Sequence, residues 1–173
     1  MLYGFNAQQK SYSLFAFGLN DCGQLGLGDL QNRNYPCRID FGKQRLTEEL
    51  VVSCGKSHTL VLCEASQSEV GVIYCFGSNQ FRMFGPLFSE LHYSLPTKIL
   101  PPYHSSSSSV GTKFIAAGKF CNVFVSSDNR MSIIGYISGP GKTDEDNDYD
   151  RTIPVLVQKL KDEQSARAKS GGN

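Results

Sequence analysis

Histidine, cysteine, clustered carboxylates and glycine-rich loops are the parts from which catalytic, metal and phosphate sites are made, and this chain of 173 residues carries all four. His58 has a ring suited to general acid or base chemistry near neutral pH. Its setting argues against that use. The turn Gly55-Lys56-Ser57-His58 recurs as Gly118-Lys119-Phe120-Cys121-Asn122, and Asn122 is read as standing in the place of His58 in the second copy. A catalytic base is not built into a repeat, so His58 is expected to be hydrogen-bonded within its turn.

The other candidates fail on spacing. Gly139-Pro140-Gly141-Lys142-Thr143 has the tail of a phosphate-binding loop, but Tyr136 stands where the first glycine of that loop must be. Gly23, Gly26 and Gly28 are not in the order of a dinucleotide fingerprint. Asp144, Glu145, Asp146, Asp148 and Asp150 suggest calcium, yet a helix-loop-helix calcium site starting at Asp144 would need Gly and Glu where Tyr149 and Val155 stand. This run reads as a solvated acidic loop or as a contact with a basic partner. Cys22, Cys37, Cys54, Cys63, Cys75 and Cys121 include no Cys-x-x-Cys pair and no zinc-ligand spacing, and several alternate with apolar residues as buried free thiols do. No catalytic residue, metal site or cofactor is expected.

The elements that hold these residues are short. Ser13–Phe17, Val51–Cys54, Thr59–Cys63, Val72–Phe76, Phe114–Ala117 and Val123–Val125 are apolar runs rich in β-branched or aromatic residues and bounded by turn formers. They read as strands. Two signatures recur at intervals of about sixty residues, the size of one four-stranded propeller blade. Phe17-Gly18-Leu19-Asn20 returns as Phe76-Gly77-Ser78-Asn79 and, worn, at Ile134-Gly135-Tyr136; the Gly55 turn returns at Gly118. The glycines at 23, 26 and 28 suit a tight loop with positive φ.

Leu14 to Asp29, containing Phe17-Gly18-Leu19-Asn20 and Gly23-Gln24-Leu25-Gly26-Leu27-Gly28, resembles the repeats of the regulator of chromosome condensation family. Pro36-Cys37-Arg38-Ile39, Pro96-Thr97-Lys98-Ile99 and Pro154-Val155-Leu156-Val157 are similar to the strand that follows in that family, and Gly55-Lys56-Ser57-His58-Thr59 to its Gly-x-x-His turn. The likeness fades in the second copy, where Gln80 to Gly85 replace the glycine-rich loop. It implies an all-β fold, a partial β-propeller of two to three blades of roughly four antiparallel strands each. The repeat turns are then Gly18, Asn20, Gly23, Gly26, Gly28, Gly55, His58, Gly77, Asn79 and Gly118. The family closes about seven blades, so this chain has too few repeats for a ring.

The expected division is an N-terminal strand or extension over 1–12, a first repeat over 13–66, and a second over 67–128 that contains a flexible serine-rich loop at 105–109. A degenerate third repeat over 129–160 carries an acidic loop at 143–150, and a flexible tail covers 161–173. Tyr3-Gly4-Phe5-Asn6 mimics the repeat turn but lies too close to Gly18 to be a blade; it reads as an extra strand. A formal net charge of +1 with scattered Lys and Arg argues against nucleic acid, and no window is apolar enough to span a membrane. The cysteine usage and the absence of a targeting pattern point to a reducing intracellular compartment, cytoplasm or nucleus. Other protein chains, a large complex or further propeller repeats are the expected partners, and the chain reads as a non-catalytic interaction or structural subunit. The resemblance also implies an alternative, nucleotide exchange on a small GTPase, and a third reading is a fragment of a longer regulatory protein.

Overall fold

A computed structural model describes residues 1–6, 11–48, 50–63, 71–101 and 110–136. Over these the chain is a partial β-propeller of ten strands in three antiparallel sheets. The serine-rich loop, the acidic residues Asp144, Glu145, Asp146, Asp148 and Asp150, the Pro154–Val157 stretch and the tail lie outside the described residues.

The first sheet has the order β1-β2-β3, with β1 Leu2–Asn6, β2 Ser11–Gly18 and β3 Arg33–Arg38. The central sheet runs β4-β5-β6-β7: Val51–Cys54, His58–Cys63, Val72–Ser78 and His92–Ile99. The third contains β8 Thr112–Ala117, β9 Cys121–Ser126 and β10 Met131–Gly135.

Successive side chains of a strand point to opposite faces, so a strand buried at every position must be covered on both. β5, His58-Thr59-Leu60-Val61-Leu62-Cys63, is such a strand. Val61 and Cys63 pack with Leu14 and Ala16 of β2, while Leu60 and Leu62 pack with Ile115 of β8 and Phe124 of β9. Burying a Leu or Phe side chain stabilises by about 1.5–3 kcal/mol, which makes these two junctions the main cohesion between sheets.

The sheets are offset from the sequence repeats by half a repeat. β4 and β5 come from the first repeat and β6 and β7 from the second, joined by rungs from His58↔Gly77 to Cys63↔Val72. The seam between repeats is therefore a hydrogen-bonded ladder inside a sheet. β1 pairs with β2 as β5 pairs with β6, so the extra N-terminal strand joins its own chain's first sheet, which has three strands where the central sheet has four.

Candidate functional site

The loop between β2 and β3 is organised by one buried asparagine. Asn20 accepts the Leu25 N–H on its Oδ1 at 2.9 Å and donates from Nδ2 to the Asp29 carbonyl at 2.9 Å. Its own carbonyl takes the Gly23 N–H at 3.1 Å, and Gly23 in turn takes the Gly26 N–H at 3.0 Å. Asp29 ends the loop in an ion pair with Arg33 at 2.6 Å, and this hydrogen bond holds its carboxyl below the ordinary value. The loop also seats on the central sheet: the Gly28 N–H donates to the Ser94 carbonyl at 2.9 Å. A Cβ at Gly26 would lie 2.9 Å from the Phe76 ring.

The loop between β6 and β7 repeats this, although its sequence does not. Asn79 accepts the Phe84 N–H at 2.9 Å and donates to the Phe88 carbonyl at 3.2 Å and the Glu90 carbonyl at 3.0 Å. Arg82 donates to the Asn79 carbonyl and receives Gly85, at 2.9 and 3.0 Å. Arg82 holds φ +56, where Gly23 holds φ +79.

The strand-end glycines also superpose in role. Gly18, Gly77 and Gly135 have φ of +114, +105 and +108. Beyond the last two, the Ser78 N–H donates to the Ser57 carbonyl at 2.7 Å and the Tyr136 N–H to the Phe120 carbonyl at 2.8 Å. The turns match as well, with Gly55 donating to the His58 carbonyl at 2.9 Å and Gly118 to the Cys121 carbonyl at 2.8 Å. These pairings correct the sequence alignment. His58 faces Gly77 and Cys121 faces Gly135, so Cys121, not Asn122, is the counterpart of His58. Asn122 is the counterpart of Thr59: Thr59 Oγ1 donates to the Gln24 carbonyl at 3.0 Å, and Asn122 Nδ2 to the Met83 carbonyl at 2.8 Å.

Nor is the His58 ring satisfied within its own turn. It is buried, and its Nε2 lies 2.7 Å from Asn122 Oδ1 in the next sheet. Because the Asn122 amide donates to Met83, its oxygen is the acceptor, and His58 Nε2 carries the proton. Nδ1 is left buried without a partner, facing Gly55. Burial pushes the His58 pKa down, against the opposing pull of Asn122. A neutral imidazole sealed between two sheets stitches them together and reaches no substrate. The Ser53 hydroxyl adds a second stitch, accepting the Ala117 N–H at 2.9 Å. Burial also raises the Cys63 thiol to about 12 and the Cys75 thiol well above its ordinary value, so neither is a nucleophile at neutral pH. Among the described residues no group of three or more His, Cys, Asp or Glu is placed to hold a metal.

What remains open is the outer face of each flanking sheet. On the first, Leu2 and Phe17 are 52% and 45% exposed, beside half-buried Phe15. On the third, Phe114 is 52% exposed beside half-buried Val123, Val125 and Met131. The register places each group together on the face of its sheet opposite the residues packed on the central sheet: Phe15 pairs with Leu2, and Val125 pairs with both Phe114 and Met131.

The repeated loop, turn and bulge describe one unit used more than once, and a family model gives that unit a name. The model described as "Regulator of chromosome condensation (RCC1) repeat" matches residues 13–62. This stretch resembles an RCC1 repeat. Among curated relatives, the chain is 36% identical over 79 residues to a human protein named probable E3 ubiquitin-protein ligase HERC3, covering 46% of this chain and 7% of that protein. It is 39% identical over 74 residues to the Danio rerio protein RCC2 homolog, covering 42% and 13%. The chain thus spans only a small part of the length of these relatives. In fold it is similar to the crystal structure of human WBSCR16, with a TM-score of 0.55 and 14% identity over 72% of this chain and 33% of that one. The second loop, Asn79 to Phe88, lies outside the matched RCC1 repeat but keeps its hydrogen bonds. No helix among the described residues is long and apolar enough to cross a membrane.

Proposed function

We propose that this chain is a non-catalytic protein–protein interaction or structural subunit, a partial propeller that docks into a larger assembly through the outer faces of its first and third sheets. The observation that carries this reading is the contrast in burial: the central sheet is covered on both faces, whereas each flanking sheet presents large apolar side chains outward. Apolar faces of this kind mark association surfaces in soluble proteins. The six free cysteines favour a reducing compartment such as cytoplasm or nucleus.

The short span of the RCC1-related proteins that this chain covers supports a second reading, that it acts as the propeller portion of a longer regulatory protein. Under either reading the working surface is a sheet face.

The test is association of the full chain, with Phe17→Asp and Phe114→Asp made separately. We expect the natural chain to run in extract as a complex much larger than 19.1 kDa, and each charged substitution to release it. A monomer in extract, unchanged by either substitution, overturns the proposal. Release of labelled nucleotide from a small GTPase by the purified chain would favour nucleotide exchange instead.

A further inference from the structure

Each junction between sheets joins two different kinds of face. The first sheet sets Leu14 and Ala16 against Val61 and Cys63 of the central sheet, and the opposite face of the central sheet sets Leu60 and Leu62 against Ile115 and Phe124 of the third. A sheet therefore has a leading face, turned toward the next sheet, and a trailing face, turned toward the one before. Both junctions pair a leading face with a trailing one. The trailing face of the first sheet and the leading face of the third are left over.

The register shows what those two faces are. Phe114 and Met131 both pair with Val125, as Val51 and Ile73 both pair with Leu62. In the central sheet that triplet belongs to the leading face, in the cluster shared with Ile115 and Phe124. Leu2 pairs with Phe15 as Val61 pairs with Tyr74, and Phe17 precedes Gly18 as Phe76 precedes Gly77. Val61, Tyr74 and Phe76 belong to the central sheet's trailing face, in the cluster shared with Leu14 and Ala16. The two open faces are thus the two halves of a junction that the chain already makes twice.

We propose that the occupant of each open face is a second copy of this chain, bound head to tail, with the Phe114–Val125–Met131 face of one copy against the Leu2–Phe15–Phe17 face of the next. This rests on the reading of these faces as docking surfaces and names what docks there. The contact is heterologous, so each copy offers one face of each kind and two faces of the same kind do not pair.

The test is sedimentation velocity on the purified full chain and on Phe17→Asp and Phe114→Asp, each alone and the two variants mixed in equal amounts. At about 100 µM, well above a micromolar dissociation constant, the natural chain should run at no less than twice 19.1 kDa. Each variant alone lacks one of the two faces and should run at 19.1 kDa. In the mixture, the intact Phe114 face of one variant meets the intact Phe17 face of the other, and a species of twice that mass should return. Its return also shows that both variants are folded. Leu2→Asp and Met131→Asp replace any variant that has lost its cooperative thermal unfolding. A natural chain that stays monomeric, a dimer formed by either folded variant alone, or a mixture of folded variants that gains no mass overturns the proposal. If the purified chain is monomeric yet runs in extract in a complex that the same substitutions release, the faces dock a different protein: the docking reading then stands and the second copy does not. A monomer both purified and in extract overturns both.

Discussion

The two loops that follow Gly18 and Gly77 are built to one plan with different residues. In the first, Gly23, Gln24, Leu25 and Gly26 fill the plan; in the second, Arg82, Met83, Phe84 and Gly85 do. Both loops turn around a buried asparagine, at 20 and at 79, that accepts the N–H five residues on and donates back to a carbonyl nine residues on. Both are pinned from the neighbouring strand, by Thr59 in one and Asn122 in the other. What differs is the surroundings. Gly23 is pressed against β7, where a Cβ would lie 2.7 Å from Ser94 Cα, whereas Arg82 is exposed. The comparison teaches that the asparagine dictates the loop, and that a glycine is irreplaceable only where a neighbour denies it space.

The largest effect is expected where both loops depend on the same frame. A Cβ at Gly77 would overlap the Ser57 carbonyl oxygen and lie 2.7 Å from His58 Cα, on a backbone at φ +105. Gly77→Ala should cost about 4 kcal/mol, strain and overlap together. Gly85→Ala is the control: φ is +100 but nothing lies within 4 Å, so about 1–2 kcal/mol is expected from strain alone. Denaturant midpoints with equal m-values measure both. If Gly77→Ala is no worse than Gly85→Ala, crowding is not the cause.

Exchanging the residues between loops should be asymmetric. Gly23→Arg meets Ser94 and should lose about 3 kcal/mol, whereas Arg82→Gly relieves a left-handed residue in the open and should gain up to about 1 kcal/mol. Equal and opposite changes would mean that conformation alone decides, against the reading above.

Removing the organising side chain should be symmetric. Asn20→Ala and Asn79→Ala each leave a buried N–H and at least one carbonyl without a partner, at a cost of about 2–3 kcal/mol apiece in thermal or denaturant unfolding. A tolerated Asn79→Ala would show that the second loop is held by its aromatic packing, Phe84 on Tyr93 and Phe88, and only resembles the first.

Much of this was legible in the residues. Strands appear as alternating apolar runs, and the recurrence of Gly18 as Gly77 and Gly135 marks three strand ends whose φ values agree within ten degrees, the first two of them at bulges. The second loop looked degenerate because the eye follows glycines, while the hydrogen bonds follow Asn79. The partner of His58 was not legible, because a contact between residues 64 apart in sequence has no local signature, and a one-residue slip of alignment put Asn122 in the histidine's own place. The strand register, Cys121 opposite Gly135, and the turn hydrogen bond from Gly118 to Cys121 separate those readings.

That cross-sheet pair makes the smallest prediction and the one confined to a single junction. Burial holds the folded-state pKa of His58 below its ordinary 6.5, so between the two values the unfolded chain binds the extra proton. The stability that a neutral His58 provides is complete above pH 6.5 and declines as pH falls toward the folded-state value. Protonation would place the second proton on Nδ1, giving a charged ring with a buried N–H that has no acceptor at this junction, loosening β5 from β9. Site-resolved hydrogen exchange should therefore show the Ala117 amide, bonded to Ser53 across this junction, losing protection between pH 7.5 and 5.5 after correction for intrinsic rates. The Leu25 amide, bonded to Asn20 at the other junction, should keep its protection. His58→Gln, which preserves a donor toward Asn122 and cannot titrate, should remove the difference. Equal loss at both amides, or a difference that survives His58→Gln, would place the pH sensitivity elsewhere and leave the two junctions alike.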